Sequence, residues 1–316
     1  MSEMFNRNQA FLDFIDKMRN NNNDNNTNVL NYKINEPDSR DYVYRLTTSP
    51  IVLKRYNIIT DFYKKNINVY TQGLIGSCVS SSFALSVSIL SKNTIFLSRL
   101  FHYYCGRSLD GSSSITDVGM SIREAAKIIT KYGVVEETYW PYEDIENRFK
   151  SLPPLIAFQK AQLLNEYKYS FLKQNITDIK DSLSNKNRPI IFGIMVYDSF
   201  MTPLVTRTGL IPMPNTKTEK SLGGHCITMI GFDDTSKTVT CVNSWGTSWG
   251  IQGTFKLPYD YVLNPALAMD FCTISFKEFI YIYIYIVKNN LKRYYLYSME
   301  KSGAEEACQA HNLKVG

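Results

Sequence analysis

Apolar residues in the first half of the chain recur at the spacing of amphipathic helices. Between residues 77 and 92 they return every three or four positions, which indicates a buried helix face, with Ser77 as the candidate N-cap. The same spacing over residues 119–132 and 174–187 predicts two further helices, the first of them ended by Gly133. The first half of the chain is therefore predicted to be mainly helical.

After Pro189 the pattern changes to short apolar runs bounded by turn-forming residues, which predict strands. These runs cover residues 190–196, 227–232, 238–242 and 253–257. Helices followed by strands are typical of the α+β class. We therefore expect a folded region over residues 35–275, with a helical lobe at about 60–175 and a β-rich lobe at about 176–275.

Both ends of the chain differ from this central region. Residues 1–34 form an N-terminal extension, in which the pattern over 1–19 predicts a short amphipathic helix and the asparagine-rich run 20–28 predicts a flexible linker. Residues 276–316 form a C-terminal extension, in which alternating tyrosine and isoleucine over 281–286 predict a strand. The pattern assigns no role to the C-terminal extension.

Composition excludes several classes of protein. Of the 316 residues, 44% are hydrophobic and 20% are charged, which supplies enough apolar surface for a packed core and excludes general disorder. The net charge of +6 comes without long runs of lysine or arginine, so no nucleic-acid binding is expected. The sequence has no run of 18 apolar residues, so no membrane-spanning helix is expected.

The amino-terminal residues and the cysteines favour a reducing compartment. Charged residues interrupt the first 20 positions, so no secretory signal is predicted and we expect a cytoplasmic location. The six cysteines form no CxxC pair, which favours neither a zinc site nor a disulfide framework. Most of them are therefore predicted to be buried free thiols, and no metal or cofactor is expected.

Cys78 stands where a glycine-containing loop, residues 72–77, becomes the first predicted helix. The N-terminus of a helix carries unpaired N–H groups and a partial positive charge, both of which favour a thiolate over a thiol. The thiolate is the nucleophilic form of cysteine. The alternative is that Cys78 is a small buried hydrophobic residue, which is the better interpretation of a lone cysteine.

Two residues far along the chain supply partners for a nucleophilic cysteine. His225 follows two glycines at the start of a predicted strand, 147 positions after Cys78, and Asn243 ends the next strand, 18 positions later. Cysteine hydrolases need a nucleophile, a base beside it and a group that orients the base. His102 has no such surroundings and is predicted to be a satisfied core histidine, and His311 a solvated one.

The chain resembles the papain-like (C1) cysteine peptidases in the runs that carry these three residues. The runs are Gln72-Gly-Leu-Ile-Gly-Ser-Cys78, Gly223-Gly-His225 and Asn243-Ser-Trp-Gly-Thr-Ser-Trp-Gly-Ile-Gln-Gly253. Segments between residues 97 and 142 are similar to divergent bacterial and large-DNA-virus members. The resemblance implies a two-lobe fold, with one helical lobe, one β-rich and barrel-like lobe, and the active-site cleft between them.

The resemblance also implies a role for each polar residue of the three runs. Cys78 would be the thiolate nucleophile, His225 its acid–base partner, and Asn243 the residue that orients the imidazole. Gln72 and the backbone N–H of Cys78 would hold the oxyanion. Trp245 would shield the bond between His225 and Asn243 from water.

Two glycines, Gly119 and Gly224, are the candidates for binding the substrate backbone. The chain departs from most members of the family at Ile75, where they have a disulfide-forming cysteine, and at Val79, where they have an aromatic residue. The first departure agrees with a reducing compartment. The second departure alters the wall of the cleft. Neither departure changes the candidate catalytic residues.

The implied reaction is the hydrolysis of a peptide or protein substrate through a thioester, without a cofactor, and an endopeptidase is the first hypothesis. An exopeptidase or an acyl-transfer enzyme stays open, because loops that block one end of the cleft decide between them. An inactive papain-like scaffold, such as a virion-associated binding protein, also stays open. If the chain is viral, we expect it in the virion or the host cytoplasm. Residues 1–34 are either a propeptide that occludes the cleft or a disordered extension. The oligomeric state is left open.

Overall fold

Seven α-helices lie in the part of the chain that the computed structural model describes, namely residues 30–58, 68–109, 116–145, 148–163 and 167–277. They are α1 (Cys78–Leu90), α2 (Arg99–Leu109), α3 (Ile122–Lys131), α4 (Leu155–Leu163), α5 (Ile176–Lys180), α6 (Pro203–Thr208) and α7 (Tyr259–Leu263). A π-turn, Asp181–Asn185, continues α5. The start of α3 is fixed by a capping box, in which Ser121 and Glu124 each accept a hydrogen bond from the other's backbone N–H.

Nine strands lie in the same residues. They are β1 (Tyr32–Lys33), β2 (Arg55–Asn57), β3 (Met120–Ser121), β4 (Tyr167–Phe171), β5 (Ile190–Tyr197), β6 (Ser221–Asp233), β7 (Thr238–Val242), β8 (Thr254–Pro258) and β9 (Ala268–Phe276). Strands β1 and β3 form a small parallel pair, and the others form one sheet in the order β4-β9-β5-β6-β7-β8, with β2 on β6. The α+β class predicted from the sequence is confirmed.

The predicted helices correspond to α1, α3, and α5 with its π-turn, and the predicted strands to β5 through β8. The largest difference is at β6, which begins at Ser221 rather than at residue 227. Its first residues include Gly223 and Gly224, which pair with Val196 and Met195 of β5. This early start matters because it makes the glycine pair part of the sheet edge beside His225.

Two strands of the large sheet come from before residue 176, where the β-rich lobe is predicted to begin. Strand β4 lies inside the range assigned to the helical lobe, yet it is next to β9 in the large sheet. Strand β2 joins the same sheet from before residue 60, pairing antiparallel with β6. Both are short strands that start and end far from the others in sequence, so their pairing is set by tertiary contacts rather than by local pattern.

Helix α1 is buried almost all round rather than on one face. Every residue from Cys78 to Ile89 is buried, because the helix lies between the sheet and helices α2 and α3. The carbonyl of Ser82 accepts hydrogen bonds from Thr228 of β6 at 3.2 Å and from Ser86 one turn later at 2.9 Å. The helix therefore connects the two lobes and places its N-terminus against β6.

Residues 30–36, termed the N-terminal strap, contact both lobes of the fold. Tyr32 and Lys33 pair in parallel with Met120 and Ser121, and Asn31 forms a parallel bridge with Gly224 of β6. The strap is the described part of the predicted N-terminal extension and its junction with the folded region.

The described residues up to Ser275 belong to one compact unit, and Phe276 begins a second. The helix predicted over residues 1–19 and the strand predicted over 281–286 lie outside the described residues. Within the described ranges, no helix combines the length and the apolar character that crossing a membrane would require.

Candidate active site

A loop of six residues, 72–77, delivers Cys78 as the first residue of α1. Two carboxylates hold this loop through its backbone: Asp117 accepts from the N–H of Gly76 at 2.9 Å, and Asp144 from the N–H of Leu74 at 3.0 Å. As the first helical residue, Cys78 has a backbone N–H with no acceptor inside the helix. The loop thus fixes both the sulfur and a donor next to it.

His225 enters the site from β6, directly opposite this helix end. The backbone N–H of Cys226, the next residue on the strand, is within hydrogen-bonding reach of the Cys78 sulfur. The sulfur of Cys78 therefore lies beside the strand that carries His225. His102, in contrast, lies in the core with its Nε2 at 2.9 Å from the carbonyl of Ala125, as predicted for a satisfied histidine.

Asn243 orients the imidazole of His225. Its Oδ1 lies 2.8 Å from His225 Nε2 and also accepts the backbone N–H of Ser244 at 2.8 Å, so this atom is the amide oxygen. Nε2 must then carry the hydrogen, which leaves the lone pair of the neutral ring on Nδ1. Nδ1 has no hydrogen-bond partner among the described residues. The arrangement leaves Nδ1 available to exchange a proton with a thiol.

Trp245 covers the bond between His225 and Asn243. Its ring is stacked on the imidazole with centroids 4.8 Å apart and planes 26° from parallel. Phe200 and Trp249 make T-shaped contacts with the indole, with ring centroids 5.9 and 5.2 Å away. This aromatic cluster excludes water from the bond, which makes the orientation of the imidazole more robust.

Gln72 is connected to the Asn243 segment through Ser244. The Ser244 hydroxyl donates to Gln72 Oε1 at 2.6 Å, and the backbone N–H of Gln72 donates to the Ser244 carbonyl at 2.8 Å. The amide nitrogen, Nε2, donates to the carbonyl of Ile75 at 3.1 Å. Because Ser244 fixes the oxygen end of the amide, the donor end is directed toward the loop that carries Cys78.

Burial favours the uncharged form of both candidate catalytic residues. Cys78 and His225 are each 0% exposed. Burial raises the pKa of the Cys78 thiol to about 12, against which the backbone N–H groups of Cys226 and Val79 act. Burial also lowers the pKa of His225 to about 4, although its bond to Asn243 favours the charged ring. At neutral pH the site therefore holds a thiol and a neutral imidazole.

The strap contacts both the loop that carries Cys78 and the strand that carries His225. The side chain of Asn31 lies against Gly76, and its Nδ2 donates to the carbonyl of Asp117 at 3.0 Å. The carbonyl of Asn31 sits so close to Gly119 that a Cβ there would overlap it. Gly119 donates its own N–H to the Tyr103 hydroxyl. The strap forms its strand pairing with Met120 and Ser121, the two residues after Gly119. Both candidate backbone-binding glycines, Gly119 and Gly224, thus touch the strap.

Tyr32 anchors the strap below the cleft. Its hydroxyl donates to a carboxylate oxygen of Asp270 on β9, and the backbone N–H of Asn35 donates to the same oxygen at 2.8 Å. Asn35 Oδ1 in turn accepts the backbone N–H of Arg123 at the start of α3, at 3.0 Å. The strap is therefore bound at both of its ends and to both lobes.

Sequence reasoning assigned no role to four residues that the structure places in the site. Ser244 lies inside one of the three runs that carry the family resemblance, and Asp270 lies outside them. Asp117 lies within the segments between residues 97 and 142 that resemble the family but was given no role, and Tyr32 had no local signal, because its contact with Asp270 spans 238 positions. An unexplained polar residue inside a recognised motif, such as Ser244, is the signal that could have been used.

The other described cysteines form no disulfide. Cys105, Cys226, Cys241 and Cys272 are buried free thiols, which confirms the prediction for the cysteines that the structure describes. Within those same residues, no group of three or more histidine, cysteine, aspartate or glutamate side chains could hold a metal ion.

Comparison with known proteins places these features in a family. The family model of the papain family cysteine proteases matches residues 60–274. An uncharacterized peptidase C1-like protein of Acanthamoeba polyphaga mimivirus is 38% identical over 218 residues, which cover 65% of this chain and 68% of that protein.

Solved structures agree with the sequence comparisons. Xylellain, a cysteine protease from Xylella fastidiosa, is 29% identical and superposes with a TM-score of 0.72, covering 81% of this chain and 100% of xylellain. Digestive procathepsin L 3 of Tenebrio molitor shares the fold at 18% identity, with a TM-score of 0.57 over 74% of this chain and 73% of that one. The chain resembles bacterial and viral members, and it belongs to the papain family of cysteine proteases.

Proposed function

We propose that the chain is a cysteine endopeptidase that is latent while the strap occupies its cleft. The observation that carries the proposal is the His225–Asn243 pair, whose geometry leaves Nδ1 as the proton acceptor on the residue just before Cys226, whose backbone N–H reaches the Cys78 sulfur. In the latent state the thiol is neutral and covered. Departure of the strap would admit water and substrate and reverse the effect of burial on both pKa values.

The first half of the reaction is acyl transfer to the enzyme. The Cys78 proton passes to His225 Nδ1, and the thiolate attacks the carbonyl carbon of the scissile peptide bond. The resulting oxyanion is held by Gln72 Nε2, which turns from the Ile75 carbonyl, and by the backbone N–H of Cys78. The C–N bond then breaks as Nδ1 returns its proton to the leaving amine, which leaves a thioester on Cys78.

The second half is hydrolysis of the thioester. A water molecule takes the place of the amine and gives a proton to His225 Nδ1 as it attacks the thioester carbonyl. The same two donors hold the second oxyanion. When the C–S bond breaks, the carboxylic acid leaves and the proton on Nδ1 returns to the sulfur, so no cofactor is consumed. Throughout, Asn243 keeps the ring in one orientation.

The test uses the full chain and the rate at which iodoacetamide alkylates Cys78, read by peptide mapping. We expect slow alkylation of the wild type, because the thiol is covered and neutral. Tyr32→Ala removes the strap's anchor and should raise the rate by more than about tenfold. Adding His225→Ala to Tyr32→Ala should lower it again to the rate of an ordinary cysteine or below.

Activity on a peptide blocked at both ends separates the alternatives. Cleavage by Tyr32→Ala that disappears in Tyr32→Ala with Cys78→Ser supports an endopeptidase. Cleavage that requires a free terminus would instead identify an exopeptidase. Alkylation of Cys78 that is indifferent to His225→Ala, together with no cleavage of any peptide, would mean an inactive scaffold.

A further inference from the structure

Gly119 and Gly76 are linked by a chain of hydrogen bonds that runs through the side chains of Tyr103 and Asp117. The backbone N–H of Gly119 donates to the Tyr103 hydroxyl at 2.9 Å. That hydroxyl donates its own hydrogen to a carboxylate oxygen of Asp117. The carboxylate accepts the backbone N–H of Gly76, with its oxygens 2.9 and 3.1 Å from the nitrogen. Donors and acceptors alternate along the whole chain, so no member of it is left unpaired.

The Tyr103 hydroxyl, in the middle of this chain, is held firmly in place. Its residue is completely buried in helix α2, and the guanidinium of Arg107, one turn later, lies 4.0 Å from the centre of its ring. Arg107 is buried too and donates to the carbonyl of Phe149. Burial and the neighbouring Asp117 carboxylate raise the pKa of Tyr103, so the hydroxyl keeps the hydrogen that it donates.

At one end the hydrogen-bond chain fixes the peptide group between Ile75 and Gly76. Asp117 holds the N–H of this group. The carbonyl of the group accepts the amide of Gln72 at 3.1 Å and the backbone N–H of Ser77 at 2.7 Å. Because the N–H and the carbonyl of a trans peptide lie in one plane and point in opposite directions, fixing one fixes the other. The carboxylate therefore sets the position of the proposed oxyanion donor and of the start of helix α1.

At the other end it holds the edge of the cleft with which the strap pairs. Gly119 has a φ of 69°, a conformation that favours glycine, and the next two residues, Met120 and Ser121, form strand β3. The strap pairs with this strand, with Tyr32 opposite Met120. A peptide in the same cleft would meet the same two residues. Because Tyr103 accepts the N–H of Gly119, this glycine would support the edge rather than donate to the peptide.

The loop that carries Cys78 has no covalent support at the point where Asp117 bonds to it. Ile75 stands where most members of the family have a disulfide-forming cysteine, and isoleucine cannot form that link. Asp117 accepts the very next N–H, that of Gly76, from 41 positions away in the sequence. The carboxylate thus supplies a non-covalent support at the same part of the loop.

We propose that Asp117 and Tyr103 are positioning residues, which hold the edge that pairs with substrate in register with the loop that carries Cys78. Asp117 acts mainly on the loop, because it bonds to Gly76 directly. Tyr103 acts mainly on the edge, because it accepts the N–H of Gly119 and reaches the loop only through Asp117. This inference rests on the proposed peptidase function and adds two residues to the machinery which that function requires.

The experiment measures kcat and KM for a peptide blocked at both ends, in full-length Tyr32→Ala with each further change added. Asp117→Ala should lower kcat by about tenfold and change KM by less than about threefold, because the loop loses its support. Tyr103→Phe should raise KM by about fivefold or more and change kcat less, because the N–H of Gly119 is left buried without an acceptor. Tyr104→Phe changes a partly buried tyrosine on the same helix and is the matched control, which should alter neither constant.

Two further variants show whether Asp117 and Tyr103 act as one unit. Asp117→Asn keeps an oxygen that can accept both the Gly76 N–H and the Tyr103 hydroxyl, so it should restore kcat to within about threefold of the parent. Asp117→Ala combined with Tyr103→Phe should lose less in kcat/KM than the product of the two single losses, because the hydroxyl already lacks its acceptor in Asp117→Ala. General destabilisation would instead lower the active fraction in every variant, which reduces kcat and leaves KM unaltered.

The outcomes distinguish the two proposals. If a folded Tyr32→Ala protein cleaves no peptide, the peptidase function fails and this inference fails with it. If peptides are cleaved through Cys78 but Asp117→Ala leaves kcat unchanged, or the two single losses multiply fully, this inference fails alone. It also fails alone if Tyr103→Phe changes KM no more than Tyr104→Phe does. Should Tyr103→Phe not fold, the loss of kcat in Asp117→Ala and its recovery in Asp117→Asn still decide.

Discussion

The hydroxyl of Ser244 donates to Oε1 of Gln72 across the boundary between the two lobes, at 2.6 Å. The backbone N–H of Ser244 also donates a hydrogen bond to Asn243 Oδ1 at 2.8 Å. One residue thus fixes the amide that would bind the oxyanion and the amide that orients the imidazole. The relative position of these two groups is therefore set by a short hydrogen-bonded segment rather than by separate supports.

Replacing Ser244 by alanine should lower kcat by about fivefold with little change in KM, because one hydrogen bond that orients Gln72 is lost. The measurement is steady-state kinetics in the Tyr32→Ala background. Ser244→Thr, which keeps the hydroxyl, should restore most of kcat. A change confined to KM would contradict the positioning role of Ser244.

Replacing Gln72 by alanine should reduce kcat/KM by about 100-fold or more, since one oxyanion donor is removed. Formation of the thiolate does not need this donor. Alkylation of Cys78 by iodoacetamide should therefore stay within about twofold of the parent, because that reaction develops no oxyanion. A parallel loss of alkylation and peptidase activity would show that Gln72 acts on the loop around Cys78 instead.

Gly193→Ala should expose Cys78 in the full chain without any change to the strap. The added methyl group overlaps the ring of Tyr32, so the strap must shift or leave at a cost typical of overpacking. We expect the rate of alkylation to rise by about tenfold. The control is Ile191→Val, a change at a buried position on the same strand. If both variants respond alike, general loosening of the sheet is the cause.

Stability should fall as the pH is lowered from about 6.5 toward 4. Burial lowers the pKa of both His102 and His225 to about 4, so the unfolded chain takes up these protons first and is favoured as the pH falls. Each histidine should cost about 2 kcal/mol between pH 7 and pH 5. Asp270, whose pKa is raised, acts in the opposite direction.

Urea denaturation at pH 7 and pH 5 measures this effect. His102→Gln removes the buried imidazole that lies outside the active site, and it should reduce the loss of stability between the two pH values by about 2 kcal/mol. A pH dependence identical to that of the wild type would mean that His102 is not responsible.

Three of the seven described helices and four of the nine described strands were predictable, because their patterns are local. Strand β7 matches its predicted bounds, and α1 begins one residue after its candidate cap. The run around Cys78 and the distant His225 and Asn243 could be joined only through the resemblance of their motifs. Composition and periodicity alone leave Cys78 with two interpretations.

The strap and its anchor could not be predicted from the chain. Tyr32 and Asp270 are 238 positions apart, and neither lies in a motif that indicates the contact. Strand β4 was missed for the same kind of reason, because its five residues become a strand by pairing with the sheet. The parts that sequence missed are those held by long-range contacts between single residues.

Because the strap belongs to the same polypeptide as the cleft that it fills, diluting the protein does not separate the two. A tethered segment has an effective concentration on the order of millimolar, whatever the concentration of the protein. Latency should therefore be independent of protein concentration, and a substrate with micromolar affinity would compete poorly with it. Only an event acting on the chain itself, such as a cut or a stronger competing attachment for the strap, would convert the protein to its accessible form.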